Sequence, residues 1–408
     1  MPAQPGYVIV GASLAGAKAA ETLREEGFAE AITLIGAEDE RPYERPPLSK
    51  GYLLGRDARD SAFVHDEGWY REHEVDLRLG TTVTSIDRAA RRLELADGES
   101  LPYQRLLVTT GASPRRLDVP GIGLEGVLYL RTLGDSERLG AALRAGGSVV
   151  IAGAGWIGLE TAAAAREYGC EVTVVEPEIG VLRRALGPEL GEVFADLHRS
   201  HGVTFRFNDS VSELTGSAGK VRAAVTSAGA ELQADLVIVG IGVVPNAALA
   251  VEAGLEADNG ILVDEALRSS DPAIFAAGDV ANFVSPLLGR RIRVEHWANA
   301  LSGGPAAARS MMGKEVSYDW VPYFYSDQYD LGMETAGLPE PGRYDDIVYR
   351  GDPDSGEFIS FWLADGAVVA GMNVNVWDVN DDIQALIRSG TEVDTARLAD
   401  QDIPLTDL

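Results

Sequence analysis

The chain has 408 residues, 46% hydrophobic and 24% charged, which is the average make-up of a soluble globular protein of two or three domains, and no apolar run approaches the ~18 residues of a membrane span. A formal net charge of -28 excludes nucleic acid and anionic membranes as partners, because both would be repelled over the whole surface. A single cysteine, Cys170, excludes an intramolecular disulfide or a dithiol redox pair, so redox chemistry would need another electron carrier. The opening MPAQPGYVIV has no basic segment followed by an apolar one and runs into a strand pattern, so the expected location is cytoplasmic.

In chain order, residues 6–35 read strand, glycine turn, helix, strand (YVIV, GASLAG, AKAAETLREEG, AITLI). Short alternating runs follow (VDLRLGTTVTSID, RRLELADG, RLLVTTGA), as in strands of a small appended sheet. Residues 148–176 repeat the opening grammar in SVVIAGAGWIGLETAAAAREYGCEVTVVE, and a similar set of short strands follows that unit. IFAAGDVA reads as a strand ending in Gly-Asp, with a helix expected from about Asn299 to Met312. From about Tyr318 the texture turns to aromatic-rich strands, and an amphipathic stretch from Asp381 to Ser389 predicts a closing helix. The expected fold class is therefore α/β, two Rossmann-like dinucleotide-binding units and a C-terminal α+β domain, packed without low-complexity linkers.

The two turns differ. Gly153, Gly155 and Gly158 complete G-x-G-x-x-G, in which the first glycine makes the turn, the second admits a pyrophosphate and the third lets helix pack on strand. Glu176 ends the next strand, where a carboxylate can accept ribose hydroxyls and repel a 2′-phosphate, which favours NADH; Arg183 and Arg184 nearby keep NADPH open. In the first turn Gly11 and Gly16 flank Ser13 in the middle-glycine position, Ala15 keeps the helix close, and the next strand lacks a terminal acid at Gly36 and Ala37, leaving Glu38 as the nearest candidate. Two such units imply one bound dinucleotide and one that exchanges.

Further motifs share an order: RPYERPPLSKGYL (Arg41 to Leu53), LRTLGDSERL, GWIGLE, GIGVVPN, AAGDVA, RVEHWANAL and PYFYSDQYDLG. With them the chain resembles, over essentially its whole length, the FAD-dependent NAD(P)H:ferredoxin reductases of bacterial oxygenase systems, of the putidaredoxin reductase and biphenyl dioxygenase reductase type. The resemblance implies a glutathione-reductase-like architecture: a discontinuous FAD domain (1–112 and 243–317), an inserted NAD domain (113–242) and a C-terminal domain (318–408). It also implies that Gly11, Ser13, Ala15 and Gly16 hold the FAD pyrophosphate, with Ala37 and Glu38 at the adenosine ribose and Val83 meeting adenine through its backbone. Arg45, Arg131, Asp279 and Trp297 match further positions around FAD, Asp279 at the ribityl chain and Trp297 near the ring, and Gly242 of GIGVVPN joins the cofactor-binding set. Tyr325 stands where many relatives carry Trp.

Lys50, closing PPLSK, would on its own read as a solvated loop cation; within the motif the resemblance points it at the flavin N5 and O4 edge, paired with Glu160 of GWIGLE. NADH would then give a hydride to FAD, and single electrons would leave to a 2Fe–2S ferredoxin feeding a cytochrome P450 or another oxygenase. No metal is expected, since His65, His73, His198, His201 and His296 lack metal-ligand spacing. Disulfide and coenzyme A disulfide reductases share the architecture but need a redox cysteine where this chain has Pro46 to Lys50. Rubredoxin reductase, a monodehydroascorbate-reductase-like enzyme and an NADH-responsive flavoprotein of the apoptosis-inducing-factor type remain alternatives. Arg290, Arg291 and Arg293 are the densest basic cluster and are expected near the flavin edge, guiding an acidic ferredoxin. The expected oligomeric state is a monomer or weak homodimer.

Overall fold

The computed structural model describes residues 5–408. The chain forms two compact units, each discontinuous in sequence. One holds the chain up to Arg45 with Arg59–Ser113 and Val244–Pro322; the other holds Pro46–Ala58, Pro114–Val243 and Tyr323–Leu408.

The first unit is built on a parallel sheet with strands in the order Ile274–Ala276, Arg105–Val108, Tyr7–Val10, Ile32–Ile35, Val75–Arg78. Its two leading strands, YVIV and ITLI, are buried at every position, the pattern of strands covered on both faces. Helix Leu14–Glu25 joins them and packs on helix Trp297–Met311, where a Cβ on Gly304 would fall 2.3 Å from the Ala15 carbonyl oxygen; only glycine permits that approach. The latter helix starts two residues before the expected Asn299, because the extended residue that caps it is His296 and no Ser, Thr, Asp or Asn marks the start. Two small sheets complete the unit, one pairing Val83–Asp87, Arg92–Leu95 and Ser100–Pro102, the other Ile261–Val263, Ala281–Ser285 and Arg290–Ile292.

The second unit repeats the design with a parallel sheet in the order Val203–Phe207, Glu171–Glu176, Ser148–Ala152, Leu236–Val239, Val127–Leu128. Helix Leu133–Arg144 opens on a capping box, Thr132 accepting from the Asp135 N–H while the Asp135 side chain accepts from the Thr132 N–H. Cys170 is fully buried beside this helix, its thiol pointing at the Leu143 carbonyl, and burial pushes the thiol up. A five-stranded antiparallel sheet follows in the order Tyr323–Gln328, Leu331–Gly337, Ala367–Val374, Glu357–Ala364, Asp346–Asp352, with helix Asn380–Ser389 on one face. That helix does not close the chain as expected. A second short helix, Thr395–Ala399, follows, capped by Asp394, and the buried Arg350 ties the tail to the sheet through the carbonyls of Leu398, Gln401 and Ile403.

Candidate functional site

In the first unit, Gly11 turns the chain with φ +121°, and a Cβ there would strike the Thr109 carbonyl oxygen. The first intrahelical bond of Leu14–Glu25 runs from Ala17 N to Ser13 O, so the N–H groups of Leu14, Ala15 and Gly16 point out of the helix start, an anion cradle in which the Ser13 side chain makes no cap. The Ala15 side chain itself is buried, 3.3 Å from where a Cβ on Gly278 would lie, so only its backbone faces the turn. Ala37 is exposed just past strand Ile32–Ile35. Beside it the Glu38 carboxylate accepts from the Tyr43 hydroxyl at 2.6 Å and from Arg45 at 3.4 Å. Burial opposes the Arg45 charge, but Tyr43, Glu38 and Asp279 outweigh it and raise the guanidinium. Asp279 sits in the turn Gly278–Val280 after strand Ile274–Ala276, and Trp297 begins its helix with the Glu44 carboxyl as neighbour. Val83 opens its strand opposite Leu95.

Arg291 and Arg293 carry structural bonds: Arg291 donates to the Val263 and Asn282 carbonyls, and Arg293 to the Asp279 carbonyl, Asn259 and Glu295. Arg290 opens the same hairpin strand and is half-buried.

In the second unit the strict turn shows how its three glycines divide the labour. A Cβ on Gly153 would lie 2.4 Å from the Gly240 oxygen and one on Gly158 2.1 Å from the Gly153 oxygen, whereas one on Gly155 would meet nothing within 4 Å. Tight packing on both sides of an open central position fits a dinucleotide phosphate, and the first intrahelical bond, Leu159 N to Gly155 O, leaves the earlier N–H groups facing that space. Glu176 reaches back to the loop, its carboxylate accepting from Ala154 N at 2.7 Å and Glu178 N at 2.9 Å. Arg184, which left NADPH open, pairs with Glu178. Gly242 is exposed, and its carbonyl accepts from Arg115 N. Arg131 precedes the capping box, its backbone N–H bonded to Asp135.

The same unit joins Lys50 and Glu160. The 3₁₀ turn Pro46–Ser49 delivers Lys50 Nζ to 2.7 Å from Glu160 Oε1, in helix Trp156–Glu167, and to 5.3 Å from the Tyr325 ring. Glu160 is only 3% exposed, and it also accepts from the hydroxyls of Ser49 and Ser326. Nearby Asp327 is raised, burial first, with Lys50 opposing and Glu160 and Glu334 adding. The sequence pointed to Lys50 and Glu160 but not to Ser49, Ser326, Gln328 or His198, which meet the same carboxylate directly or in series. Ser49 lay inside PPLSK, the one signal available.

Residues 5–304 match the pyridine nucleotide-disulphide oxidoreductase family and residues 323–408 the reductase C-terminal family. The chain is 42% identical over 406 residues to an anthranilate 1,2-dioxygenase system ferredoxin–NAD(+) reductase component of Burkholderia cepacia, covering 99% of each. It is 38% identical to a rubredoxin–NAD(+) reductase of Pseudomonas putida, over 84% of this chain and 88% of that one. The reductase in a crystal structure of the covalent putidaredoxin reductase–putidaredoxin complex superposes with a TM-score of 0.95 at 37% identity, covering 99% of this chain and 98% of that chain. With two family matches spanning nearly all of its length and a full-length relative at 42% identity, the chain belongs to the pyridine nucleotide-disulphide oxidoreductase family.

Proposed function

We propose that this protein is an NADH-dependent FAD flavoprotein, a ferredoxin–NAD(+) reductase that passes electrons singly to a 2Fe–2S ferredoxin serving a cytochrome P450 or another oxygenase. FAD, when bound, supplies the exchange between a two-electron hydride donor and a one-electron acceptor. The observation that carries the reading is Lys50 held on the buried Glu160 where disulfide-reducing relatives of this architecture need a cysteine; the only cysteine here is buried structurally.

We assign the FAD role to residues 1–112 and 243–317, the NADH role to 113–242 and the C-terminal part to 318–408. Gly11 makes the turn at which Ser13, Ala15 and Gly16 present N–H groups to the FAD pyrophosphate, Glu38 and Arg45 order the adenosine end, and Asp279 and Trp297 serve the ribityl and ring end. Gly153, Gly155, Gly158 and Glu176 bind NADH. Lys50 supplies positive charge where negative charge develops on the ring, and Glu160 holds the ammonium in place without being spent as a general acid. The protein acts in the cytoplasm as a monomer or weak homodimer; among the described residues no helix is long and apolar enough to cross a membrane. Arg290 and Arg291 give an acidic ferredoxin its basic landing edge, Arg293 being turned inward.

The test is NADH-driven cytochrome c reduction that depends on an added small ferredoxin, together with single-turnover reduction of the FAD-loaded Lys50→Ala variant. Ferredoxin-dependent turnover and slowed flavin reduction with FAD retained are expected. Turnover with rubredoxin alone, or NADH-induced dimerisation without turnover on any acceptor, refutes the ferredoxin assignment.

A further inference from the structure

The hydrogen bonding of the Lys50–Glu160 pair does not stop at Glu160. Oε1 accepts from Lys50 Nζ at 2.7 Å and from Ser326 Oγ at 2.6 Å, while Oε2 accepts the Ser49 hydroxyl. Ser326 Oγ accepts from Gln328 Nε2 at 3.1 Å, and Gln328 Oε1 lies 2.7 Å from His198 Nε2. His198 Nδ1 lies 3.3 Å from the Tyr329 hydroxyl, whose ring stacks on His201.

The direction of each bond as far as His198 Nε2 is dictated from the carboxylate end. A carboxylate only accepts, so Ser326 donates to it. Gln328 must then give its amide N–H to Ser326, which leaves its carbonyl to accept from His198 Nε2–H. Nδ1 faces the Tyr329 hydroxyl, which can donate or accept, and accepts from it when the imidazole is neutral. The chain therefore fixes a proton on Nε2, and the neutral imidazole carrying it satisfies every bond. Burial enforces the same state, holding His198 down at about 4, with His201 adding to that effect and Gln328 opposing it.

Ser326, Gln328 and His198 are all essentially inaccessible to water. Apolar side chains would fill that volume without needing partners, so what the polar ones add is direction. They come from separate elements: Ser326 and Gln328 from one face of strand Tyr323–Gln328, His198 from the last turn of helix Arg183–Ser200, and Tyr329 from the hairpin turn, at φ +58°. A carboxylate held by Ser49 on one oxygen and by this chain on the other has one orientation left for the ammonium.

We propose that Ser326, Gln328, His198 and Tyr329 are positioning residues that set the orientation of Glu160 and through it the place of Lys50, tying the Tyr329 hairpin turn to the ammonium. The proposal rests on the reading of Lys50 as the cation that acts on the flavin.

The experiment uses the FAD-loaded enzyme. Ser326→Ala slows single-turnover flavin reduction by NADH roughly tenfold, leaves the half-saturating NADH concentration unchanged, and adds nothing in a Lys50→Ala background; Ser326→Thr restores the rate. An unslowed Ser326→Ala, or the same slowing when Lys50 is already absent, overturns the proposal. The second measurement is the imidazole nitrogen NMR signal of His198 in the same protein. It should report the neutral Nε2–H tautomer from pH 8 to pH 5 and shift in both Ser326→Ala and Glu160→Gln. A His198 that titrates at its ordinary value, or ignores Glu160→Gln, overturns the chain. A Lys50→Ala variant reduced at the wild-type rate removes the flavin role of Lys50 but not the chain, which the NMR signal decides.

Discussion

His198 makes the stability of this protein fall in mild acid by an amount that can be worked out. In the unfolded chain the imidazole takes a proton near its ordinary value of 6.5, whereas in the fold burial and the facing His201 push it down to about 4, against the opposing bond to Gln328. Between those values the unfolded state binds a proton that the folded state refuses, so stability is intact above pH 6.5 and is lost as pH falls toward 4. At about 1.4 kcal/mol per pH unit the full window is worth roughly 3 kcal/mol, of which about 2 kcal/mol has gone by pH 5. Carboxylates titrate over part of the same range, so the assay is a difference: urea unfolding of FAD-loaded wild type and of His198→Gln, which keeps an amide N–H for Gln328, at pH 7.5 and pH 5. The variant starts less stable, because the Tyr329 hydroxyl loses its acceptor. The gap should then narrow by about 2 kcal/mol at pH 5, where only the wild type carries the histidine penalty. A gap independent of pH would refute the reasoning, since it would mean that His198 is charged in both states or neutral in both.

The two turn glycines should separate folding from binding: Gly158→Ala, driven into the Gly153 oxygen, destabilises the protein by about 1–3 kcal/mol, while Gly155→Ala, which meets nothing, leaves the melting temperature alone and raises the half-saturating NADH concentration. Equal effects on both quantities would contradict that division. Glu176→Ala removes the acceptor of Ala154 N and, on the proposed assignment, the charge at the ribose; the ratio of kcat/KM for NADH over NADPH should drop by roughly ten- to a hundredfold, and an unchanged ratio would place nucleotide choice elsewhere. Reversing Arg290 and Arg291 to Glu should lower the ferredoxin association rate and flatten its salt dependence without altering flavin reduction by NADH; stopped-flow mixing at low ionic strength checks it, and an unaltered rate removes these residues from docking.

Much of the architecture was legible because it is local. The glycine turns, the buried runs YVIV and VTVVE and the Ala-rich helices between them state a βαβ unit within ~30 residues. The misses have equally local causes. Helix Trp297–Met311 begins without a side-chain cap, and Thr395–Ala399 is too short to show a period, its only sign being Asp394. The capping box at Thr132 and Asp135 lies inside LRTLGDSERL, where Asp stands at the position more often held by Glu or Gln.

The carboxylate chain was illegible for a different reason. In YFYSDQ strict alternation puts Tyr323, Tyr325 and Asp327 on one face and Phe324, Ser326 and Gln328 on the other, and polarity alone does not tell which face is wet. Ser326 and Gln328 are the buried ones. Each is tolerable there only because of a partner far off in sequence: Glu160, 166 residues before Ser326, and His198, 130 residues before Gln328. Seen singly, each of these side chains is a reason to doubt burial; together they satisfy one another in a single bonding direction that ends on Glu160, the acceptor of Lys50. Burial of polar residues through mutual satisfaction is a property of the set, and no window of sequence contains the set.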